Sequence, residues 1–207
     1  MRQPATRELF RRWNQLRGER SAPERNGLDP VLLQGVISET FMLEADPQGR
    51  FPIVLAGARC EALFNGSLRG RSFIDLWPAH ERRQISALCA CVMDGCVPIV
   101  AGMTAAPLDR APIALEMLLL PLRHNGRTHS RILGCWQSEY HPEWLGLLPV
   151  ENLHFKSLRI LSTPDADPAA HNAGLMNRRD SESGRFPIPH APHRGAQLVL
   201  HEGGRGK

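Results

Sequence analysis

The apolar positions of this chain recur with two different periods, and the places where one period gives way to the other mark out its elements. Near the start, Leu9, Trp13 and Leu16 fall at i, i+4 and i+7, Phe10 widens the stripe, and arginines fill much of the opposite face. That is the pattern of an amphipathic helix. Thr6 stands where such a helix would be capped, and Gly18 where it would stop, near Leu16. Ser21 to Gly27 reads as a polar linker. Asp29 and Pro30 then suit the cap and first position of a second short helix reaching about Gly35.

From Phe41 the pattern becomes that of strands. Phe41 to Ala45, the turn Asp46-Pro47-Gln48-Gly49, and Arg50 to Ala56 predict an antiparallel hairpin. At Gly57 the pattern changes again. Cys60, Leu63 and Phe64 share one face of a short helix, Asn65-Gly66 stops it, Gly70 breaks the chain once more, and Ser72 precedes the short run Phe73 to Trp77 as a cap would. Pro78 to Asp94 predicts the longest helix, with Ile85, Leu88, Cys89 and Val92 on one stripe and Gly95 as its C-cap. Three strands follow, at about Val97 to Thr104, Ile113 to Leu122 and Ser130 to Trp136, the last two separated by the hairpin signal Asn125-Gly126. In the middle strand Ile113, Leu115, Met117 and Leu119 face one way, and Ala114, Glu116, Leu118 and Leu120 the other. Two largely apolar faces predict a central strand covered on both sides. Trp144 to Leu161, with Leu147, Leu148 and Leu153, reads as one further short element. The whole is an α+β arrangement around a five-stranded antiparallel sheet.

Composition narrows the setting. The chain has 207 residues, enough for one domain with tails. From Ser162 to Lys207 it is rich in Pro, Asp, Ser, Arg, Gly and His and poor in core formers, apart from the patch Gln197 to His201. That stretch predicts a largely disordered tail. The expected divisions are therefore 1–27 for the N-terminal helix and linker, 28–161 for the main domain, and 162–207 for the tail. Five cysteines cannot all pair among themselves, and Cys89, Cys91 and Cys96 fall in or just after the long helix. They read as reduced thiols of a cytoplasmic protein. No apolar run follows Arg2, Arg7, Arg11 and Arg12, and Ile113 to Leu122 is far shorter than the roughly 20 residues a bilayer requires, so neither a leader nor membrane insertion is expected. The net charge is +4, and the first 25 residues alone hold seven arginines against three glutamates. A basic arm of that size is more often a solvated helix face than a nucleic-acid interface, which makes nucleic acid the least favoured partner.

Several segments together resemble one known family. Leu55-Ala56-Gly57-Ala58-Arg59-Cys60, Phe64-Asn65-Gly66, Leu68 to Phe73 and Leu76-Trp77 look like the signature of stand-alone PAS domains of the alphaproteobacterial type. Leu115 to Leu122 and Arg131-Ile132-Leu133-Gly134 resemble the later strands of that family, and the Trp13 helix and Leu28-Asp29-Pro30 also fit. The resemblance runs from about Arg7 to Leu161. It implies a PAS-like sheet with short helices on one side and an N-terminal flanking helix. It implies a sensory or regulatory module that is not an enzyme and that signals by binding a ligand and associating with other proteins. No attached output domain is recognisable, so a homodimer or a separate signalling protein is the expected partner, with a small molecule as a possible ligand.

The short helices would form the wall of a ligand pocket in such a fold. This makes Arg59, Cys60, Phe64, Arg71, Phe73, Trp77 and Trp136 the candidate ligand-binding residues, and Leu9, Phe10, Trp13 and Leu16 the candidate association surface. The arginines suit an anionic ligand. Cys60 lacks the surroundings of a photochemical flavin thiol and reads as a buried thiol. Cys89, Cys91 and Cys96 do not have the spacing of a zinc site, because Cys91 points away from the other two on a helix. His80 is the best-placed histidine for a haem, although a capping or surface role suits it better. The cofactor is therefore left open. No G-x-S-x-G, glycine-rich phosphate loop or H-E-x-x-H is present. The alternative reading is a ligand-free interaction adaptor whose pocket is filled by its own side chains.

Overall fold

The computed structural model describes residues 1–124 and 127–161. The expected tail with its Gln197 to His201 patch, and the Asn125-Gly126 turn, lie outside the described residues. Six strands form one antiparallel sheet: β1 (Thr40–Glu44), β2 (Ile53–Ala56), β3 (Ile99–Ala106), β4 (Ile113–His124), β5 (Arg127–Ser138) and β6 (Asn152–Ile160), in the spatial order β2-β1-β5-β4-β3-β6. Three helices accompany it: α1 (Pro4–Arg17), α2 (Ala58–Leu63) and α3 (Ala79–Asp94).

The sheet separates two apolar layers. On its inner face α2, the 3-10 turn Ile74–Leu76 and α3 pack against Phe41, Ile53, Met117, Leu119, Ile132 and Trp136. On its outer face α1 packs against Leu118, Leu120, Leu122, Leu133 and Cys135. The alternation expected of β4 is therefore observed: Ile113, Leu115, Met117 and Leu119 belong to the inner layer, and Leu118 and Leu120 to the outer. Of the remaining outward positions, Ala114 is exposed and Glu116 half-buried.

The N-terminal helix is built into the domain. Leu9 and Trp13 are fully buried, and burial of side chains this size stabilises by about 1.5–3 kcal/mol each. The Trp13 indole N–H donates to the carbonyl of Pro121 at 2.8 Å. Thr6 is not the cap of α1. The helix starts at Pro4 and carries no side-chain cap of its own. Its first N–H groups are met from the sheet instead. The Glu116 carboxylate accepts from the backbone N–H of Arg2 at 2.7 Å and of Gln3 at 3.0 Å, and also from the Thr6 hydroxyl, while Gln137 Oε1 accepts from the N–H of Ala5 at 2.7 Å. Glu116 and Gln137 thus satisfy donors that a helix start leaves open. The linker is tied down as well: Ala22 is fully buried, and the N–H of Arg123 donates to the carbonyl of Pro23 at 2.9 Å. The N-terminal helix, the linker and the sheet therefore belong to one compact unit.

Other elements follow the sequence with small shifts. Asp29 caps its turn by accepting from the N–H of Val31 at 2.8 Å, but the turn is a single 3-10 one, Pro30–Leu33. The Ser72 hydroxyl accepts from Asp75 N–H at 3.3 Å. The larger difference is β6, which makes the sheet six-stranded. It pairs with β3 along Ala106↔Asn152 to Ile99↔Ile160, with a register shift between Gly102 and Met103. That irregularity, and an edge position that leaves most of the strand exposed, erase the alternation by which a strand is recognised.

Candidate functional site

The space between the helical wall and the inner face of the sheet is where the resemblance places a ligand. Gly57 lets the wall begin there. A Cβ at this position would lie 2.1 Å from the carbonyl oxygen of Ile37, so only glycine lets the end of β2 pass this close to the preceding turn. Helix α2 then carries Cys60 and Leu63 inward, and the segment to Trp77 brings in Leu68, Phe73 and Leu76.

Four of the seven expected pocket residues are aromatic, and all four meet in one cluster. Trp136 lies 6.3 Å from both Phe64 and Phe73, centroid to centroid, and Phe73 lies 6.0 Å from Trp77. The residue that joins them is Phe41 of β1, 4.3 Å from Trp136 and 5.5 Å from Phe73. Sequence reasoning did not single out Phe41, because one aromatic in an apolar strand carries no mark of its pairing. Its signal was indirect and lay in Gly134, the last residue of the Arg131-Ile132-Leu133-Gly134 motif. Phe41 and Gly134 are cross-strand partners, and a Cβ on Gly134 would sit 2.1 Å from the Phe41 ring. The ring rests on a glycine because nothing larger leaves it room.

The rings and their neighbours occupy the interior. The cavity at this site measures about 20 Å³ and is lined by Glu39, Arg59, Leu63, Leu115, Trp136 and their neighbours. A space of that size holds about one water molecule. The indole N–H groups of Trp77 and Trp136 are buried and find no hydrogen-bond partner.

The three remaining candidates are an ion-paired arginine at the edge of this cavity, an exposed arginine and a buried thiol. Arg59 is half exposed and pairs with Glu39, a buried acid that the sequence did not mark. The Arg71 guanidinium lies over the Phe64 ring at 5.4 Å, and the residue is exposed. Cys60 is buried, and burial, followed by the nearby Cys135, pushes its thiol well above the ordinary range. Burial likewise pushes Cys89 and Cys135 up. A thiol in such a setting is a poor nucleophile. Cys91 is exposed and Cys96 half-buried, so the three helix cysteines do not converge. His80 is 77% exposed at the start of α3, beside Glu81 at 3.6 Å, and does not line the interior. Among the described residues no cluster of three His, Cys, Asp or Glu side chains is arranged to hold a metal.

The expected association surface is placed differently. Leu9 and Trp13 are fully buried against the chain's own sheet, and Phe10 and Leu16 are half-buried beside them. A dimer built on that stripe would first have to peel α1 away. The sheet's outer face is the reason: its own apolar residues Leu118, Leu120 and Leu133 need covering, and α1 is the nearest apolar stripe. The basic arm is also engaged with itself. Arg11 and Arg12 pair with Glu8, at 2.7 and 2.6 Å, and hydrogen bonds from both guanidinium groups hold the Glu8 carboxyl down at about 2. Arg17 is buried and donates to Asn14 Oδ1 and the carbonyl of Arg20.

A model of the PAS domain family matches residues 1–137, which takes in α1 and the strands through most of β5. No curated protein and no solved structure compared with the chain matches it. Among the described residues no helix is long and apolar enough to cross a membrane.

Proposed function

The chain belongs to the PAS domain family, a class of sensory and signalling modules, and from that starting point we propose that it is a cytoplasmic, non-enzymatic regulator that works by protein association, with an interior filled by its own side chains. The observation that supports this reading is the aromatic cluster of Phe41, Phe64, Phe73, Trp77 and Trp136, and the cavity that reaches Trp136 measures about 20 Å³. Small-molecule sites are typically ~300 Å³ or larger. An interior filled by its own side chains leaves the signal to be carried by what the surface binds.

One observation favours a second reading, in which a small polar ligand enters the wall. Two indole donors, on Trp77 and Trp136, are buried without an acceptor, and such donors are costly to leave unmet. Native and denaturing mass spectra of the purified full chain separate the two. The association reading expects a native mass equal to the chain or a whole multiple of it. A bound mass that disappears on denaturation would refute the filled interior and make the protein a ligand sensor.

A further inference from the structure

Helix α1 covers the outer face of β4 and β5, and the corner formed by β1 and β2 lies to its side. β2 is an edge strand, and its pairing with β1 slips there: Met42 faces Leu55, but Leu43 faces Ile53. Val54 is the extra residue of that bulge. Bulges re-aim side chains, and here two consecutive apolar side chains line the same surface groove. Val54 packs against the outer layer, and Leu55 is 42% exposed.

The groove encloses about 490 Å³, and three arginines from three separate segments line it with Val54, Leu55 and Met42. Arg25 comes from the linker, Arg69 from the loop after α2, and Arg131 from β5. Arg131 is tied to Glu44 at 3.0 Å, with its Nε buried and unpartnered. Arg25 and Arg69 are exposed and make no ion pair among the described residues. Glu61, the acid in the groove, is already engaged: its Oε1 accepts from the Ser67 hydroxyl at 2.9 Å and the Leu68 N–H at 3.1 Å. The corner therefore combines an exposed apolar floor with positive charge that no acid among the described residues neutralises.

We propose that this corner docks an acidic, amphipathic peptide segment of a partner protein, one whose apolar side chain covers Leu55 and whose carboxylates meet Arg25 and Arg69. Arginine forks suit carboxylates, and the complementary charge sets orientation and on-rate more than raw affinity. The apolar floor and the engaged Glu44 and Glu61 beside it suit a peptide better than a phosphate backbone, which a continuous basic surface fits. The assignment rests on the association reading above, and its test is independent of the mass spectrum: a ligand in the interior would end that reading and leave peptide binding at the corner measurable.

The experiment uses the full isotope-labelled chain and a synthetic twelve-residue probe alternating Glu and Leu, with a Lys-Leu peptide of equal length as control. Fluorescence anisotropy reads affinity and backbone amide shifts read location. The expected result is salt-sensitive binding of the acidic probe alone, with shifts centred on Met42, Val54, Leu55 and Arg69. The double variant Arg25→Glu and Arg69→Glu weakens it roughly tenfold, and Leu55→Ser weakens it without changing its salt dependence. Both changes are at exposed side chains, so an unaltered melting curve verifies the fold. Absence of binding, shifts elsewhere, or indifference to the charge reversal overturns the proposal. So does equal binding of a twelve-nucleotide single strand, or concentration-dependent shifts at the same residues without peptide, which would make the occupant a second copy of this chain.

Discussion

Gly134→Ala is the smallest change that tests how the interior is packed. In an ordinary strand, replacing glycine by alanine stabilises by about 0.4–1 kcal/mol, because the unfolded chain loses freedom. Here the added Cβ would lie 2.1, 2.2 and 2.6 Å from Cζ, Cε2 and Cε1 of Phe41, well inside the ~3.5 Å at which carbon atoms rest against one another. Phe41 cannot simply swing aside, because Trp136 and Phe73 hold its ring from other directions. The expected cost is about 2–3 kcal/mol, the upper part of the range for overpacked cores. The three atoms that clash are all at the far end of the phenyl ring, and leucine has none of them. Phe41→Leu alone is expected to cost about 1–2 kcal/mol in lost packing. In that background Gly134→Ala should no longer destabilise and should recover part of the loss. The two sites then show a coupling of about 3 kcal/mol, where independent sites would show almost none. Urea unfolding followed by tryptophan fluorescence measures all four proteins. A neutral Gly134→Ala, or single-site costs that simply add in the double variant, would show that Phe41 does not rest on Gly134 and would remove the basis for a filled interior.

Two other outcomes follow from the same structure. Burial pulls the Glu116 carboxyl up, but the Thr6 hydroxyl and the N–H groups of Arg2 and Gln3 outweigh it and leave it below its ordinary value; the stabilisation is therefore full above the ordinary carboxylate range, about pH 4.3, and is lost as pH falls through the lowered folded value. Glu116→Gln should be less stable at neutral pH by about 1–2 kcal/mol with a flatter acid limb in pH-dependent melting, and an unchanged acid limb would mean that Glu116 does not anchor α1. Thiol titration with a disulfide reagent should label exposed Cys91 at once and half-buried Cys96 more slowly, whereas Cys60, Cys89 and Cys135 react only after unfolding; fast native labelling of three or more thiols would contradict the buried positions.

Much of the site was legible because it is written in local patterns. Gly57, Asn65-Gly66 and Gly70 divide the wall into short pieces wherever they stand, and the four aromatic pocket candidates did converge. What local pattern could not show was direction and partnership. Arg59 and Arg71 lie within the same motifs as the buried aromatics, yet Arg59 pairs with Glu39 and Arg71 lies on the outer side of Phe64. The stripe of Leu9 and Trp13 announced that it would be buried, but not against what. An apolar stripe looks the same whether it covers its own sheet or a second copy.

The sequence by itself determined the order of the elements, the central position of β4 and the family, since periodicity, turn residues and glycine spacing act over a few residues at a time. Only the tertiary structure decided that α1 belongs to the outer layer, that Glu116 and Gln137 meet its first donors, that β6 extends the sheet, and that Phe41 fills the space over Gly134. Each of these joins positions far apart in the chain, and the physical terms that settle them — burial, close approach, and the need of every buried polar group for a partner — are defined only once those positions are brought together.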